Sequence, residues 1–518
     1  MELLTNLYQG FQISLTPINL LYCFTGVLLG TLIGVLPGIG PGATIALLLP
    51  TTFRVSPVSA IIMLAGIYYG AMYGGSTTSI LVNIPGEAAS VVTCLDGYKM
   101  ARKGRAGPAL GIAAFASFIA GTLSVIGLML LAVPLSNIAL QFGFPEYFAI
   151  MCLGLSIVSY LGRGSIFKSL LMAALGVSLS FVGMDVVAAR PRFDFGLLVL
   201  ADGVGLIPLL MGLFGIAEVF SNIEAKTQAR EIFQTKIKGL LPTVRDWKDS
   251  WAAITRGSLL GFFLGILPGG GAVVSSFVSY AVEKKISKHP EKFGAGVVEG
   301  VAGPEAANNA ATAGGFIPLF VLGIPSNVAM ALLLGALMIH GLQPGPLLLQ
   351  QHPDIFWGTV ASMYIGNAML LVLNLPLIGL WVKVLKVPYK ILFPMILLFC
   401  LIGAYSENNN PSDMLVMLFF GSVGYLLRKY GYDMAPLVLA FVLGRQMEQA
   451  FRQSLILSDG SFLVFFTRPI SAGAMALATF LLVSALVPAF RKKREKMEAE
   501  GGSIVGVEDN AQIRKGEK

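Results

Sequence analysis

The stretch from Leu28 to Thr52 limits what this chain can fold into more than any other. It reads LLGTLIGVLPGIGPGATIALLLPTT, carries no charge, and is interrupted in its middle by proline and glycine. Proline removes a backbone donor and glycine tolerates irregular backbone, so the stretch is unsuited to one continuous helix. The pattern returns from Leu259 to Val274 as LLGFFLGILPGGGAVV, at residue numbers 231 higher. A hydrophobic segment broken by proline and glycine in each of two halves predicts the binding site of a transporter.

The composition indicates an all-α polytopic membrane protein. Of the 518 residues, 55% are hydrophobic and 12% are charged, whereas soluble domains carry roughly 25% charged residues. Charge-free runs extend over Leu3 to Phe53, Val55 to Gly86 and Ala306 to Pro353. Because a helix needs about 20 apolar residues to span a bilayer, we expect about 10 to 12 transmembrane segments. The net charge of +8 comes from Lys and Arg between apolar segments, which indicates cytoplasmic loops and not nucleic-acid binding.

The duplication continues beyond the first motif. Further landmarks recur at residue numbers 238 to 240 higher: Ile84-Pro85 as Ile324-Pro325, Gly107-Pro108 as Gly345-Pro346, and Asp194 with LLVLA as Asp433 with PLVLA. The alternative explanation is chance similarity between apolar segments, which an ordered series of landmarks argues against. The sequence predicts an N-terminal membrane repeat over 1–220, a basic cytoplasmic linker over 221–256, a C-terminal membrane repeat over 257–450, a final loop and transmembrane helix over 451–490, and a disordered cytoplasmic tail over 491–518.

Equivalent loops of the two halves differ in charge. After the first break the first half has only Arg54, whereas the second half has four lysines between 284 and 292. After the second break the bias reverses, with four basic residues between 99 and 105 and none in the equivalent IHGLQPGP. Lys and Arg in short loops mark the cytoplasmic side. The two repeats are therefore predicted to have inverted topology, with the broken segments as interrupted helices or re-entrant hairpins.

The broken segments supply the predicted substrate site. A helix that starts after such a break offers free N–H groups and a positive dipole end, which attract carboxylates, and carbonyls before the break suit Na⁺. A simple kink or a close-packed interface of small residues is the structural alternative. The predicted substrate-binding residues here are Pro37, Gly38, Gly40 and Gly42 in the first half, and Pro268, Gly269, Gly270 and Gly271 in the second.

A second pair of breaks adds polar side chains to apolar runs. Short hydroxyl and amide groups suit recognition of carboxylates and coordination of Na⁺, although such groups also bond to carbonyls of their own helix or bridge helices. The predicted substrate-binding residues are Ser76, Thr77, Thr78 and Asn83 in the first half and Pro325, Ser326 and Asn327 in the second. Acids inside membrane segments are functional hypotheses. Those kept for ion coupling are Glu305 and Asp202, with the amides of Asn308 and Asn309.

Several kinds of chemistry find no support in the sequence. It contains no GxxxxGK(S/T) motif for nucleotide hydrolysis, and no HExxH or GxSxG motif of hydrolases. The three histidines are not spaced as metal ligands, and the four cysteines form no CxxC pair. We expect neither an enzyme nor a bound metal or cofactor.

The motifs together resemble the large permease subunit of the tripartite tricarboxylate transporters, the TctA family. The resemblance covers about residues 15–490. It rests on GVLPGIGPG, YGAMYGGSTTSILVNIPGEAASVVTCLDGYKMARKGRAGPALG and RFDFG in the first half, and on GILPGGGAVVSSF, GPEAANNAATAGGFIPLFVLGIPSN and IHGLQPGPLL in the second. The halves differ where Phe316-Ile317 replaces Ser76-Thr77, which puts a symmetric site in doubt.

The resemblance implies a multi-pass secondary transporter of the bacterial inner membrane. It implies import of a tricarboxylate or another small organic anion, driven by a Na⁺ or H⁺ gradient. It also implies two partners, a small four-helix membrane subunit and a periplasmic substrate-binding protein; a homo-oligomer stays open. The sequence leaves three alternatives: an ATP-driven permease subunit, favoured only by the short run Glu305-Ala306-Ala307, a channel for small anions, and a membrane enzyme acting on lipids.

Overall fold

The structure, a computed structural model, describes residues 2–36, 40–161, 165–185, 190–197, 200–224, 239–384 and 389–486. Within these ranges the chain is almost entirely helical. The helices of the first half are α1 (Glu2–Ser14), α2 (Pro17–Val35), α3 (Pro41–Leu48), α4 (Pro57–Val82), α5 (Val91–Thr93), α6 (Ala106–Ala139), α7 (Phe144–Leu161), α8 (Ile166–Ser180), α9 (Leu206–Leu210) and α10 (Ala217–Glu224).

The second half continues with shorter pieces around its breaks. Its helices are α11 (Val244–Ile266), α12 (Gly271–Ile286), α13 (Glu299–Gly314), α14 (Phe316–Leu322), α15 (Val328–Ile339), α16 (Leu348–Gln351), α17 (Pro353–Asn374), α18 (Ile378–Val384), α19 (Tyr389–Asn408), α20 (Pro411–Lys429), α21 (Ala435–Leu457), α22 (Val464–Thr467) and α23 (Pro469–Leu486). Short 3₁₀ turns cover Leu49–Thr52, Ala88–Ser90 and Pro290–Lys292, and π-helical turns cover Cys94–Tyr98, Ala101–Arg105 and Met211–Ile216.

The helix ends follow local chemistry. Helix α4 begins with Ser56, whose Oγ accepts from the backbone N–H of Ser59, and with Pro57 in its first position. It ends at Asn83, which takes the left-handed conformation with φ of +57°. Helix α11 begins with a capping box between Thr243 and Asp246. These polar caps set where each apolar segment starts and stops.

One small sheet interrupts the helical fold. Strand β1 (Gly183–Met184) pairs antiparallel with β2 (Pro191–Arg192). Arg192 makes two hydrogen bonds to the carboxylate of Glu448, at 2.7 and 3.0 Å, and Arg452 binds Asp185 at 2.8 Å. This ionic cluster fastens the hairpin to α21, a contact that the all-α prediction did not include.

The same helix pair is built in each half. Glycines on α2 lie against the backbone of α4, and glycines on α11 lie against the backbone of α13. A Cβ at Gly30 would be 2.5 Å from the carbonyl oxygen of Ile67, and one at Gly261 would be 2.1 Å from that of Ala307. The same approach joins Gly26 to Met63, Gly34 to Ala71, Gly257 to Gly303 and Gly265 to Ala311. The two helix pairs, one in each half, therefore pack in the same way.

Helices of each half also pack against helices of the other half. Helix α8 of the first half packs on α21 of the second, and α20 of the second half packs on the first-half segment from Leu206 to Glu224. By order in the repeat, α8 is equivalent to α20, and the 206–224 segment to α21.

Four helices are long and apolar enough to cross a membrane, and several shorter apolar helices accompany them, counted over the described residues. The long ones are Pro17–Val35, Pro57–Val82, Ala101–Ala139 and Pro353–Asn374. These features support the prediction of an all-α polytopic membrane protein, without fixing the number of 10 to 12 crossings. Helices α10 and α11 both extend into the predicted linker 221–256, whose middle lies outside the described residues, as does the predicted tail 491–518.

Candidate functional site

The breaks of both halves meet at one cavity of about 620 Å³. The start of α3 contributes Gly40 to Ala43, and the start of α12 contributes Gly269 to Val274. The second pair of breaks contributes Glu87-Ala88 and the start of α15, from Ser326 to Ala329. The helix starts predicted after the two LPG motifs are confirmed, since α3 begins at Pro41 and α12 at Gly271.

The two breaks of the second half are joined by their backbones. The N–H of Gly269 donates to the carbonyl of Ser326 over 2.8 Å. Gly269 has φ of +78° and Gly271 has φ of +43°, in the left-handed region that favours glycine. Glycine is therefore required at these positions by conformation. Gly40, in the equivalent break of the first half, has an extended conformation with φ of −72°.

The side chain of Asn327 sets the geometry of the α15 start. Its Oδ1 accepts from the backbone N–H of Met330 at 3.1 Å, which caps the helix. Its Nδ2 donates to the hydroxyl of Tyr68 at 3.0 Å. Tyr68 is on α4 and lines the same cavity. Asn327 thus connects the start of α15 to the first half of the chain.

One basic side chain, that of Arg428, lines the cavity among the described residues. Arg428 pairs with Glu218 and donates from Nη2 to the carbonyl of Leu213 at 3.1 Å. Two further carboxylates line the cavity: Glu87 accepts from the N–H of Ala89 at 2.6 Å, and Asp433 accepts from that of Ala435 at 3.0 Å.

The cavity combines groups that attract an anion with acids that attract a cation. The first turn of a helix carries N–H groups without intrahelical partners and the positive end of the dipole. The starts of α3, α12 and α15 all line this cavity. Their N–H groups and the Arg428 guanidinium favour a carboxylate, while Glu87, Glu218 and Asp433 favour an accompanying cation.

A second polar site surrounds Glu305, whose side chain is fully buried. The hydroxyl of Ser76 donates to Oε2 at 2.6 Å, that of Ser117 donates at 3.5 Å, and that of Thr93 donates to Oε1. The amide of Asn309 donates to Ser117 Oγ at 2.7 Å. Three hydroxyls from three segments of the first half therefore converge on one carboxylate of the second half.

The other predicted substrate-binding and ion-coupling residues lie at varied distances from the cavity and from Glu305. Thr78 donates to the carbonyl of Val35 at 2.7 Å and ties α4 to the end of α2. Asn83 caps α4 and Asp202 is exposed in the turn before α9; neither lines the cavity. Thr77 lines a small cavity beside Ser76. Pro325 is buried in its turn, and Asn308 is fully buried next to Asn309. Pro37 and Gly38 lie outside the described residues.

Sequence reasoning did not select Tyr68, Glu87, Arg428, Tyr432 or Asp433 as lining residues. Glu87 follows the IPG motif directly, so the motif itself was a usable signal for it. No local pattern pointed to Arg428, because only the packing of α20 against 206–224 brings it to the cavity.

The fold and the cavity together define a class of protein. Apolar helices, an internal duplication and paired helix breaks around one polar cavity are the architecture of a multi-pass membrane transporter. A family model described as the tripartite tricarboxylate transporter TctA family matches residues 20–439. The chain belongs to this family of transporters, which is not an enzyme class. The predicted family is confirmed.

Two relatives are known from Agrobacterium vitis. One is an uncharacterised 52.8 kDa protein of the TAR-I ttuC′ 3′ region, 51% identical over 500 residues that make up 96% of this chain and 99% of the relative. The other, an uncharacterised protein of the TAR-II ttuC′ 3′ region, is 51% identical over 240 residues, 46% of this chain and 99% of the relative. No solved structure matches the chain.

Proposed function

We propose that this chain is the large permease subunit of a binding-protein-dependent secondary transporter that imports tricarboxylates or other small organic anions. Family membership supports the permease role and implies a small membrane subunit and a periplasmic binding protein as partners. The single observation behind the proposed substrate class is that the helix starts of α3, α12 and α15 line one cavity with Arg428. The protein would lie in the bacterial inner membrane, with its two repeats in inverted orientation.

The charges of the cavity favour cotransport of the anion with a cation. Glu87, Glu218 and Asp433 outnumber Arg428, so a carboxylate entering alone would meet net negative charge. A cation that neutralises an acid near the substrate removes part of this repulsion. The coupling ion would be Na⁺ or H⁺, with Glu305, Asn308 and Asn309 as the buried groups available for it. Asp202 is the weaker candidate because it is exposed.

The test is uptake into proteoliposomes that contain this chain and its small subunit. Labelled citrate, tartrate and succinate would be offered with candidate binding proteins present or absent, under imposed Na⁺ or H⁺ gradients. We expect accumulation that requires a gradient and one binding protein. Equilibration without any gradient would indicate a channel instead.

The substitution Arg428→Gln tests the cavity. It removes the one basic lining residue among those described, so we expect KM for the anion to rise by about tenfold or more, the equivalent of ~1.4 kcal/mol. Lys429→Gln is the matched control, because Lys429 is adjacent, is half exposed, and pairs with Glu224 away from the cavity lining. Equal KM values for the two variants would place the substrate elsewhere.

A further inference from the structure

A row of polar side chains leads from the substrate cavity into the protein. It starts at Asn327, which donates to the hydroxyl of Tyr68 at 3.0 Å. Thr312 of α13 lies beside the Tyr68 hydroxyl. Thr312 in turn donates to the carbonyl of Asn308 at 2.9 Å. Because Tyr68 accepts from Asn327, its own proton is available to Thr312.

Two small cavities lie between Thr312 and Glu305. The first, of about 30 Å³, is lined by Thr312, Asn309 and Tyr73 among others. The second, of about 10 Å³, is lined by Tyr73, Ser76 and Ser117, and the two serines contact the Glu305 carboxylate. A cavity of about 10 to 15 Å³ is close to the size needed for one water. The Tyr73 side chain lines both cavities.

An unused acceptor faces the smaller cavity. Asn374, which is 5% exposed, lines this cavity. Its Oδ1 accepts no hydrogen bond from the described residues. Its Nδ2 is already used, donating to the carbonyl of Leu370 at 2.9 Å. A buried acceptor without a donor carries a free-energy cost that a water in this cavity would remove. The smaller cavity is therefore a place for water between Tyr73 and Ser76.

The surroundings of Glu305 suit a group that gains and loses a proton. The hydroxyl donors stabilise the carboxylate, whereas burial without a basic partner among the described residues favours the neutral acid. Tyr73 and Cys94 are the titratable groups that face it. Charged residues near α13 include Glu87, Asp96 beside Gly300, Glu283 beside Gly303 with its partner Arg256, and Asp249 and Glu299 near the start of α13. Helices α11 and α12, which also pack on α13, further carry Arg245, Asp246, Lys248, Lys284 and Lys285.

We propose that the proton cotransported with the anion binds at Glu305 and reaches it from the substrate cavity through Tyr68, Thr312 and the two small cavities. The inference rests on the proposed function and names its coupling ion. In each step an oxygen accepts one proton and releases another to its neighbour, so only Glu305 changes composition, from carboxylate to carboxylic acid. Tyr68 and Thr312 each carry the proton in one step of this transfer.

The experiment uses the reconstituted permease with its partner subunits, in buffers that contain choline in place of Na⁺. Uptake of the labelled anion is driven by an imposed pH gradient, and substrate-dependent proton entry is followed with a pH-sensitive dye inside the vesicles. Exchange of internal for external anion at equal pH is measured in parallel, because it requires translocation but no net proton movement. The variants are Glu305→Gln, Thr312→Val and Tyr68→Phe. The matched control is Tyr364→Phe, whose hydroxyl contacts Met129 at 3.3 Å and not the relay.

For the unmodified protein we expect anion uptake and proton entry together in the absence of Na⁺. Thr312→Val, which keeps the side-chain volume, should lower pH-driven uptake by about tenfold or more while exchange falls far less. Glu305→Gln should uncouple uptake from the pH gradient altogether. Tyr364→Phe should behave like the unmodified protein.

Failure of the inference is distinguishable from failure of the proposed function. Uptake that needs a Na⁺ gradient and moves no protons would overturn the inference and leave the anion transporter standing. A Thr312→Val protein with undiminished pH-driven uptake would overturn the relay. Absence of anion exchange in the unmodified protein would contradict the proposed function itself.

Discussion

The backbone N–H of Gly269 bonds to the carbonyl of Ser326 over 2.8 Å, so the LPG break and the IPSN break of the second half form one unit. A change in the conformation of either break has to be accommodated by the other. Because both line the cavity, the position of the helix start at α12 and that at α15 are set together.

The substitution Gly269→Val should abolish uptake and leave membrane insertion intact. The φ of +78° is unfavourable for a β-branched residue, and a Cβ would lie 2.9 Å from Cα of Val158. A displacement of about 1 Å at the site is enough to lower a rate by about a hundredfold. Gly473→Val is the control, since Gly473 on α23 is exposed with open space around it. Normal uptake by Gly269→Val would remove this break from the site.

The substitution Gly261→Leu should destabilise the fold. Its Cβ would be 2.1 Å from the carbonyl oxygen of Ala307, so α11 and α13 would be forced apart. Overpacking of this kind costs about 1–3 kcal/mol. Thermal unfolding of the purified protein in detergent, followed by tryptophan fluorescence, measures the loss against Gly473→Leu. An unchanged Tm would mean that the two helices do not pack by their backbones.

The substitution Asp96→Asn should loosen the loop before α13. The Asp96 carboxylate accepts from the hydroxyl of Tyr280 at 2.9 Å and from the backbone N–H groups of Gly294, Gly296 and Val297 at 2.6 to 3.0 Å. An amide retains one acceptor oxygen, and each lost hydrogen bond to a charged group costs about 1.5–3 kcal/mol.

Limited proteolysis at Lys288 and Lys292 measures this loosening. We expect faster cleavage in Asp96→Asn than in Glu291→Gln, which removes an exposed acid of the same loop. Equal cleavage rates would show that the loop is held by other contacts.

The substitution Asn327→Asp should weaken anion binding without removing the helix cap. Aspartate can still accept from the N–H of Met330, but its negative charge faces the cavity. We expect KM to rise by about tenfold, equivalent to ~1.4 kcal/mol. Asn410→Asp is matched to it, because Asn410 caps α20 through Ser412 and is exposed outside the cavity lining. An unchanged KM for Asn327→Asp would argue that the anion does not contact the start of α15.

The helix breaks could be predicted from the sequence because they depend on local chemistry. Proline and glycine interrupt a helix wherever they occur in such density, and α3 and α12 begin where the motifs indicated. The deep position of Glu305 followed from a single acid in a long apolar run.

Residues brought together by packing between the halves could not be predicted. Arg428 reaches the cavity because α20 lies against a segment about two hundred positions earlier, which no local pattern encodes. Asp202 shows the opposite case. Its apolar neighbours in the sequence suggested a position inside a membrane segment, but the chain turns there and exposes the side chain. The number of polar groups around Glu305 likewise depends on which faces of α4 and α6 meet α13.

The glycine contacts of α2 with α4 and of α11 with α13 also limit how the molecule can move. In each pair the two backbones touch with no side chains between them. Sliding one helix along the other by one residue would bring carbonyl oxygens too close to the Cα atoms of the neighbouring helix. Each pair therefore forms one rigid unit, and the α2–α4 pair lines the cavity through Tyr68 and Met72. Any motion that opens the cavity to one side of the membrane or the other has to occur between these helix pairs and the rest of the protein, and not within a pair.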